Sequence, residues 1–143
     1  YEISNFAKPG YRSKHNSSYW QGKAYYGFGP SAHSYNGKNI RSWNIANNAL
    51  YIQSLEQNTI ACEQEILTPT QQLNEYIMIS LRTIEGIHIP TVQDRFGNDK
   101  REQLMNAAQN FISEELLLRD ENTLRLPQKG KFLADGIAAG LFF

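Results

Sequence analysis

The residues best suited to chemistry lie in one aromatic segment, His15-Asn16-Ser17-Ser18-Tyr19-Trp20. A neutral imidazole can ligate iron, and the aromatic rings beside His15 could flank a flat macrocycle. The residues alone still favour a simpler interpretation, which is a histidine in a surface loop. The two other histidines have less suggestive surroundings. His33 follows a glycine-bracketed turn and could be structural or line a pocket, and His88 is expected to be a loop residue.

A second candidate is the segment Gly27-Phe28-Gly29-Pro30, which lies shortly before His33. It lacks the third glycine of a dinucleotide-binding fingerprint and runs into proline rather than a helix, so it is a weak signal for phosphate binding. The alternative is that both glycines let the backbone approach a strand or a ligand closely. No Ser–His–Asp, HExxH, P-loop or paired-carboxylate constellation is present, so the residues alone show no complete catalytic machinery.

Charge and aromatic content divide the chain of 143 residues into two parts, although its net charge is zero. Up to Ile60, six basic residues stand against only Glu2 and Glu56, a difference of +4, so the remainder carries −4. All eight tyrosines except Tyr76, and both tryptophans, lie in the first part. Two parts of such different composition predict two structural units.

The single cysteine, Cys62, cannot form an internal disulfide, and by itself it cannot build a zinc or an iron–sulfur site. Nothing marks a secreted scaffold, so a reducing cytoplasm is the expected location. No apolar run approaches the roughly 20 residues that span a bilayer, and no signal peptide opens the chain. The first residue is Tyr1 rather than methionine, which suggests a piece of a longer protein.

In the first part of the chain, up to Ile60, short strands and one helix are predicted around the two candidate segments, residues 15–20 and 27–30. Residues 3–6 and 24–28 are predicted to be short strands, the first ending in a turn at Pro9-Gly10. Asn36-Gly37 predicts a hairpin that joins strands at 32–35 and 39–43. Residues 45–57 are predicted to form a helix with one apolar face.

The second part predicts a mostly helical, winged-helix-like order of elements. Thr68-Pro69-Thr70-Gln71 carries the signals of a helix start, and Gly86 is the predicted stop. The next predicted elements are a short helix over 90–96 and a helix from the capping residues Asp99 and Glu102 to about 117. A hairpin over 119–126 and a last helix over 129–141 complete this part. The net acidic character of this part opposes binding to nucleic acid, since that affinity rests on phosphate neutralisation.

Several motifs then occur in one order: residues 1–7 (YEISNFA), Pro9-Gly10, His15-Asn16-x-x-Tyr19-Trp20 and residues 27–34 (GFGPSAHS). This series resembles the C-terminal portion of the HemW branch of the HemN-like radical S-adenosylmethionine family. The HNxxYW motif is similar to the one that separates HemW from the true oxidases. The resemblance implies an α+β fold, in which residues 1–60 are the last strands and loops of a partial α/β barrel and residues 61–143 are a mostly helical C-terminal domain.

The resemblance also implies a function, which is to bind haem and pass it to an acceptor such as a respiratory enzyme. His15 becomes the candidate ligand of the haem iron, with Asn16, Tyr19 and Trp20 around it. Carried over in the same way, four positions near the S-adenosylmethionine pocket of the family become candidate cofactor residues: Gln21, Gly27, Gly29 and His33.

The family's iron–sulfur chemistry would lie outside this chain. The CxxxCxxC motif that holds a four-iron four-sulfur cluster together with S-adenosylmethionine is absent, so the chain alone is not expected to be an enzyme. One alternative is a part of an oxygen-independent coproporphyrinogen III oxidase of porphyrin biosynthesis. A second is a winged-helix module that contacts a protein or nucleic acid. An exposed barrel edge at residues 3–6 would favour pairing into a homodimer.

Overall fold

A computed structural model describes every residue from Tyr1 to Phe143. Helices and short strands alternate, which confirms the α+β class. In chain order the elements are α1 (Lys14–Trp20), β1 (His33–Tyr35), β2 (Ile40–Asn44), α2 (Asn48–Glu56), β3 (Cys62–Ile66), α3 (Pro69–Leu81), β4 (Ile87–His88), α4 (Ile89–Phe96), α5 (Asn98–Ser113), β5 (Leu118–Arg119), β6 (Thr123–Arg125), α6 (Gln128–Lys131) and α7 (Ala134–Gly140).

The chain forms two units. The larger unit joins Tyr1–Trp20 to Pro69–Phe143, and the smaller unit is Gln21–Thr68. The assignment of residues 1–60 to the end of a barrel and 61–143 to a helical domain stays a prediction. None of the helices combines the length and the apolarity that crossing a membrane requires.

The smaller unit is built on an antiparallel sheet with the strand order β1-β2-β3. The predicted hairpin is confirmed, because the side-chain oxygen of Asn36 accepts the amide hydrogens of Lys38, Asn39 and Ile40 and closes the turn. Strand β3 pairs along β2 and was not predicted. Its three central residues, Glu63, Gln64 and Glu65, are polar, and its five residues are too few for a clear apolar alternation, so only pairing with β2 reveals it as a strand.

Two other predictions for this region need correction. Helix α2 begins at Asn48 rather than at residue 45, because the side chain of Asn47 accepts the amide of Leu50 and caps the helix there. Its apolar side chains are about half exposed, so the predicted apolar face is not a core face. Residues 24–28 form no strand, and a single bridge joins Tyr25 to Tyr35.

The larger unit has the core that its helix periodicity predicts. Leu73, Ile77 and Leu81 recur at every fourth position of α3 and are fully buried. The chain order of helix, short helix, helix, hairpin and helix is confirmed, and β4 adds a third strand to give the sheet order β4-β6-β5. Other elements complete the core with a further set of buried side chains: Ile87, Val92, Leu104, Leu117, Leu124, Ile137 and Leu141.

Some helix ends in this unit differ from their predictions. Helix α5 begins at Asn98 with Gly97 at the cap position, so the carboxylate of Asp99 lies in the first turn rather than at a cap. It ends at Ser113, because Glu115 adopts a φ of 56° and the chain turns back toward β5. The predicted last helix is two short ones, α6 and α7, separated at Phe132 and Leu133.

The predicted strand over residues 3–6 does not form either. Glu2 makes an isolated bridge to Thr83, and Asn5 donates its amide to the carbonyl of Glu2, so the chain turns instead of extending. The exposed strand edge that favoured self-pairing is therefore missing at this place. The turn predicted at Pro9-Gly10 is confirmed by the bond from the Tyr11 amide to the Lys8 carbonyl.

Gly86 has a different role from the predicted helix stop. Helix α3 already ends at Leu81, and Gly86 is buried with a φ of 72°. A Cβ atom at this position would lie 2.3 Å from the carbonyl oxygen of Leu124 in β6. Only glycine allows the backbone to pass β6 this closely in a left-handed conformation.

The substitution Gly86→Ala is expected to lower the free energy of unfolding by about 1–3 kcal/mol through this strain. Gly136→Ala is the matched control, because an added Cβ in α7 would meet no atom within 4 Å. It should stabilise the chain by up to about 1 kcal/mol. Urea unfolding followed by far-ultraviolet circular dichroism measures both, and equal midpoints for the two variants would contradict the role of Gly86.

Candidate functional site

The HNxxYW segment forms helix α1, although its sequence has no clear period. The hydroxyl oxygen of Ser13 accepts the amide of Asn16 at 3.1 Å, which caps the helix at its N-terminus. The Ser18 hydroxyl donates to the carbonyl of His15 at 2.6 Å. Two turns are too short for a periodic apolar face to be visible in the sequence, so the cap at Ser13 is the one local signal that could have predicted this helix.

One face of α1 presents His15 and Tyr19 to solvent. The two residues are four apart and therefore neighbours on the helix surface. Their rings meet edge to face, with centroids 5.1 Å apart and planes at 89°. His15 is exposed, and 40% of Tyr19 is exposed. Neither ring nitrogen of His15 is hydrogen-bonded within the chain, so the imidazole is available to a ligand.

The other face of α1 holds the helix in place. The side-chain amide of Asn16 donates to the hydroxyl of Tyr1 at 3.3 Å. The guanidinium of Arg82 lies over the ring of Trp20, 5.9 Å from its centroid. The indole nitrogen of Trp20 is buried and has no hydrogen-bond partner. The motif is thus divided into an exposed pair, His15 and Tyr19, and an anchoring pair, Asn16 and Trp20.

Arg82 at the end of α3 is also the partner of a buried carboxylate. Its Nε donates to one oxygen of Glu2 at 3.2 Å, and the other oxygen of Glu2 accepts from the Ser4 amide and the Asn5 side chain. Burial opposes ionisation of Glu2, which is only 4% exposed, but these hydrogen bonds and the charge of Arg82 outweigh it and lower the pKa of Glu2. Arg82 additionally binds Asp135 at 3.2 Å.

A second ion pair holds the residues that precede α1. The guanidinium of Arg12 contacts the carboxylate of Glu85 at 2.5 Å and lies 5.7 Å from the ring centroid of Tyr1. Desolvation opposes the charge on Glu85, yet the hydrogen bond and the charge of Arg12 lower its pKa. Sequence reasoning missed both ion pairs, because their partners are about 70 to 80 residues apart and no local pattern links them.

The Gly27–Gly29 segment of the smaller unit is closed by its own hydrogen bonds. The side chain of Asn44 donates to the carbonyls of both glycines, at 3.3 and 2.9 Å. The amide of Gly27 donates to the Ser34 hydroxyl, and the amide of Gly29 donates to the Tyr51 hydroxyl. Because these amides are already bonded, they do not form a phosphate cradle. The close-approach interpretation is supported at Gly27 alone, since a Cβ at Gly29 would meet no atom within 4 Å and Gly29 instead adopts a φ of 99°.

Gly27 shows why that approach needs glycine. A Cβ there would lie 2.2 Å from the carbonyl oxygen of His33 in β1. The ring of His33 is tilted against Trp43, with centroids 6.1 Å apart, and the His33 and Gln21 side chains are exposed. The structure therefore brings Gly27 and His33 together within the smaller unit.

The four HNxxYW residues belong to the larger unit, on one helix. Cys62 is exposed at the start of β3. No three His, Cys, Asp or Glu side chains are brought together in an arrangement that could hold a metal ion. A four-iron four-sulfur cluster held by three thiolates therefore does not fit the residues of this chain, which has one thiol.

Comparison with known proteins identifies relatives over nearly the whole chain. Residues 67–133 match the HemN C-terminal domain. The haem chaperone HemW of Bacillus subtilis is 29% identical over 138 residues, which cover 96% of this chain and 36% of that protein. HemW of Mycobacterium tuberculosis is 30% identical over 142 residues, which cover 99% of this chain and 34% of that protein. The bovine mitochondrial radical S-adenosyl methionine domain-containing protein 1 is also 30% identical, with the same two coverages.

The fold has a counterpart among solved structures. Coproporphyrinogen III oxidase (HemN) from Escherichia coli, a radical SAM enzyme, superimposes with a TM-score of 0.67 over 96% of this chain and 35% of the oxidase, at 16% identity. That likeness shows a common fold. The chain spans about a third of the length of the curated relatives that it matches. The resemblance drawn from the ordered motifs is confirmed.

The substitution Arg82→Ala is expected to lower the free energy of unfolding by about 1.5–3 kcal/mol, because the buried carboxylate of Glu2 loses its charged donor. Folding lowers the pKa of Glu2 from its usual 4.5, so its stabilisation is present above that pH and is lost as the pH falls through the lowered pKa. In Arg82→Ala the pKa of Glu2 is lowered less, so this acid-dependent loss should be smaller, and the difference from the unmodified chain should shrink as the pH falls. Urea midpoints between pH 3 and pH 7 measure it.

Asp120→Asn is the control for this ion pair. It breaks the Arg125–Asp120 pair, in which both side chains are about half exposed, so the loss should stay below about 1 kcal/mol. If both variants lose the same stability and show the same pH dependence, the Glu2–Arg82 pair does not have the assigned importance.

Proposed function

We propose that this chain, a relative of the HemW haem chaperones that contains a HemN C-terminal domain, binds haem on helix α1 and passes it to an acceptor protein. His15 is the proposed ligand of the haem iron. Tyr19 lies beside the bound macrocycle, whereas Asn16 and Trp20 hold the helix. Haem is here a cargo rather than a resident cofactor.

One observation carries this proposal: the imidazole of His15 is exposed and unbonded, on a helix whose adjacent face is anchored by Asn16 and Trp20. Iron coordination needs a neutral ring nitrogen with a free lone pair, and nothing in the chain competes for it. The edge contact with Tyr19 restricts the orientation of the ring. Fixing the helix through Asn16 and Trp20 lowers the entropic cost of binding, since the ligand position exists before haem arrives.

An exposed ligand also suits transfer better than a closed pocket does. A single histidine on a surface helix would hold haem while leaving it accessible to a ligand of the acceptor. Haem can then leave by ligand exchange, without opening a packed core. A resident haem would instead be enclosed by apolar side chains that limit its dissociation.

The relatives include radical S-adenosyl methionine proteins, so S-adenosylmethionine and an iron–sulfur cluster belong to the proposed parent function. The cluster ligands would come from outside this chain. We propose Gln21 and His33 as side chains near S-adenosylmethionine, with Gly27 and Gly29 shaping the adjoining backbone. Their exposure, and the close packing of Gly27 on β1, are compatible with this role.

The similarity favours a chaperone over an oxygen-independent coproporphyrinogen III oxidase. Relatives named as HemW chaperones are 29–36% identical to this chain, whereas the oxidase HemN shares 16% and supports the fold alone. A winged-helix module that binds a protein partner remains compatible with the same fold, and it does not require haem.

The substitution His15→Ala is expected to weaken haem binding at least about tenfold, which corresponds to about 1.4 kcal/mol, and to abolish the Soret shift caused by imidazole ligation. Titration of haem into the chain, followed by absorbance, measures both. Tyr19→Phe should retain the ligation spectrum, because it keeps the ring that contacts His15.

His88→Ala is the matched control. His88 is equally exposed and lies in the same unit, but its Nδ1 is engaged with the Thr91 hydroxyl at 2.9 Å. This variant should bind haem like the unmodified chain. Equal affinities and equal spectra for the His15 and His88 variants would refute the assignment of His15, provided that circular dichroism shows both to be folded.

A further inference from the structure

A groove of about 210 Å³ lies in the larger unit, away from the exposed face of α1. It forms where residues 2 and 3 cross the end of α3, beside the hairpin of β5 and β6. Two large apolar side chains on its wall remain accessible, since Ile84 is 47% exposed and Leu118 is 43% exposed. Leu81 and Leu126 are buried and form an apolar floor.

The same groove is lined by three cations. Arg82 already forms ion pairs with Glu2 and Asp135. Arg125 contacts Asp120 at 2.7 Å, but both side chains are about half exposed, so the pair is weak, and the guanidinium makes no other hydrogen bond within the chain.

Lys131 is different, because its ammonium makes no hydrogen bond or ion pair within the chain. The one carboxylate in the groove, that of Glu2, already accepts hydrogen bonds from Arg82, Ser4 and Asn5. A positive charge therefore stands unpaired beside an apolar wall, which complements a ligand that has an apolar group next to a carboxylate.

The volume of the groove limits how large a ligand with an apolar group and a carboxylate can be. Pockets for drug-sized molecules measure roughly 300–1,000 Å³, so about 210 Å³ is too small for a whole macrocycle. It suits a single branched side chain with the carboxylate that follows it. Peptide segments offer this combination, and neighbouring residues of the same segment can extend along the exposed rim.

We propose that this groove binds a segment of a partner protein in which a leucine-sized residue is followed by acidic residues. The apolar side chain packs against Ile84 and Leu118. The carboxylates bind Lys131 and the free donors of Arg125. This site is separate from the proposed haem ligand, and its test does not involve haem.

The probe is the peptide acetyl-Leu-Glu-Glu-amide, titrated into the ¹⁵N-labelled chain. The amide resonances of Ile84, Leu118 and Lys131 should shift together and saturate. Acetyl-Leu-Gln-Gln-amide should bind at least about fivefold more weakly, because it lacks charge, and added salt should reduce the difference between the peptides. Acetyl-Ser-Glu-Glu-amide tests the apolar contact and should also bind more weakly.

Lys131→Met is expected to weaken binding of the Glu peptide about fivefold and to leave the Gln peptide unaffected, because methionine retains the apolar stem without the charge. Lys129→Met is the matched control on the same helix; Lys129 donates to the carbonyl of Glu114 and does not line the groove. Shifts that fall outside the groove, equal binding of the Glu and Gln peptides, or equal losses in the two lysine variants would each overturn the proposal.

Discussion

The ion pair between Arg82 and the buried carboxylate of Glu2 is the interaction on which the larger unit depends. A carboxylate that is only 4% exposed is costly unless charge and hydrogen bonds compensate it, and Arg82, Ser4 and Asn5 do so completely. The same guanidinium lies over Trp20. One side chain at the end of α3 thus attaches both the first residues and helix α1 to a winged-helix-like core that lies far away in the sequence.

This attachment explains why the HNxxYW motif has two kinds of residue. Asn16 and Trp20 face their anchors, Tyr1 and Arg82, and the helical period then places His15 and Tyr19 on the exposed face. A ligand site made in this way is rigid although it is exposed. The rigidity comes from the packed side of the helix, so the exposed imidazole needs no supporting hydrogen bond of its own.

The two units use glycine for the same physical purpose. Gly27 passes the carbonyl of His33 and Gly86 passes the carbonyl of Leu124, each at a distance that leaves no room for a Cβ atom. In the smaller unit, Asn44 then completes the arrangement by donating to both carbonyls of the glycine segment. Gly27, which could be taken for part of a phosphate-binding signal, is thus explained by backbone packing, and Gly29 by its positive φ of 99°.

The sequence by itself determined the elements whose signals are local. The hairpin at Asn36-Gly37, the start of α3 at Pro69 and the buried stripe of Leu73, Ile77 and Leu81 follow from turn chemistry, capping and periodicity, and the ordered motifs identified the relatives. Tertiary structure alone decided that residues 3–6 turn instead of extending, that the CEQEI segment is a strand, and which motif residues face solvent. These depend on partners distant in the chain, such as Arg82 for Glu2, and pairings over such separations leave no local pattern in a sequence.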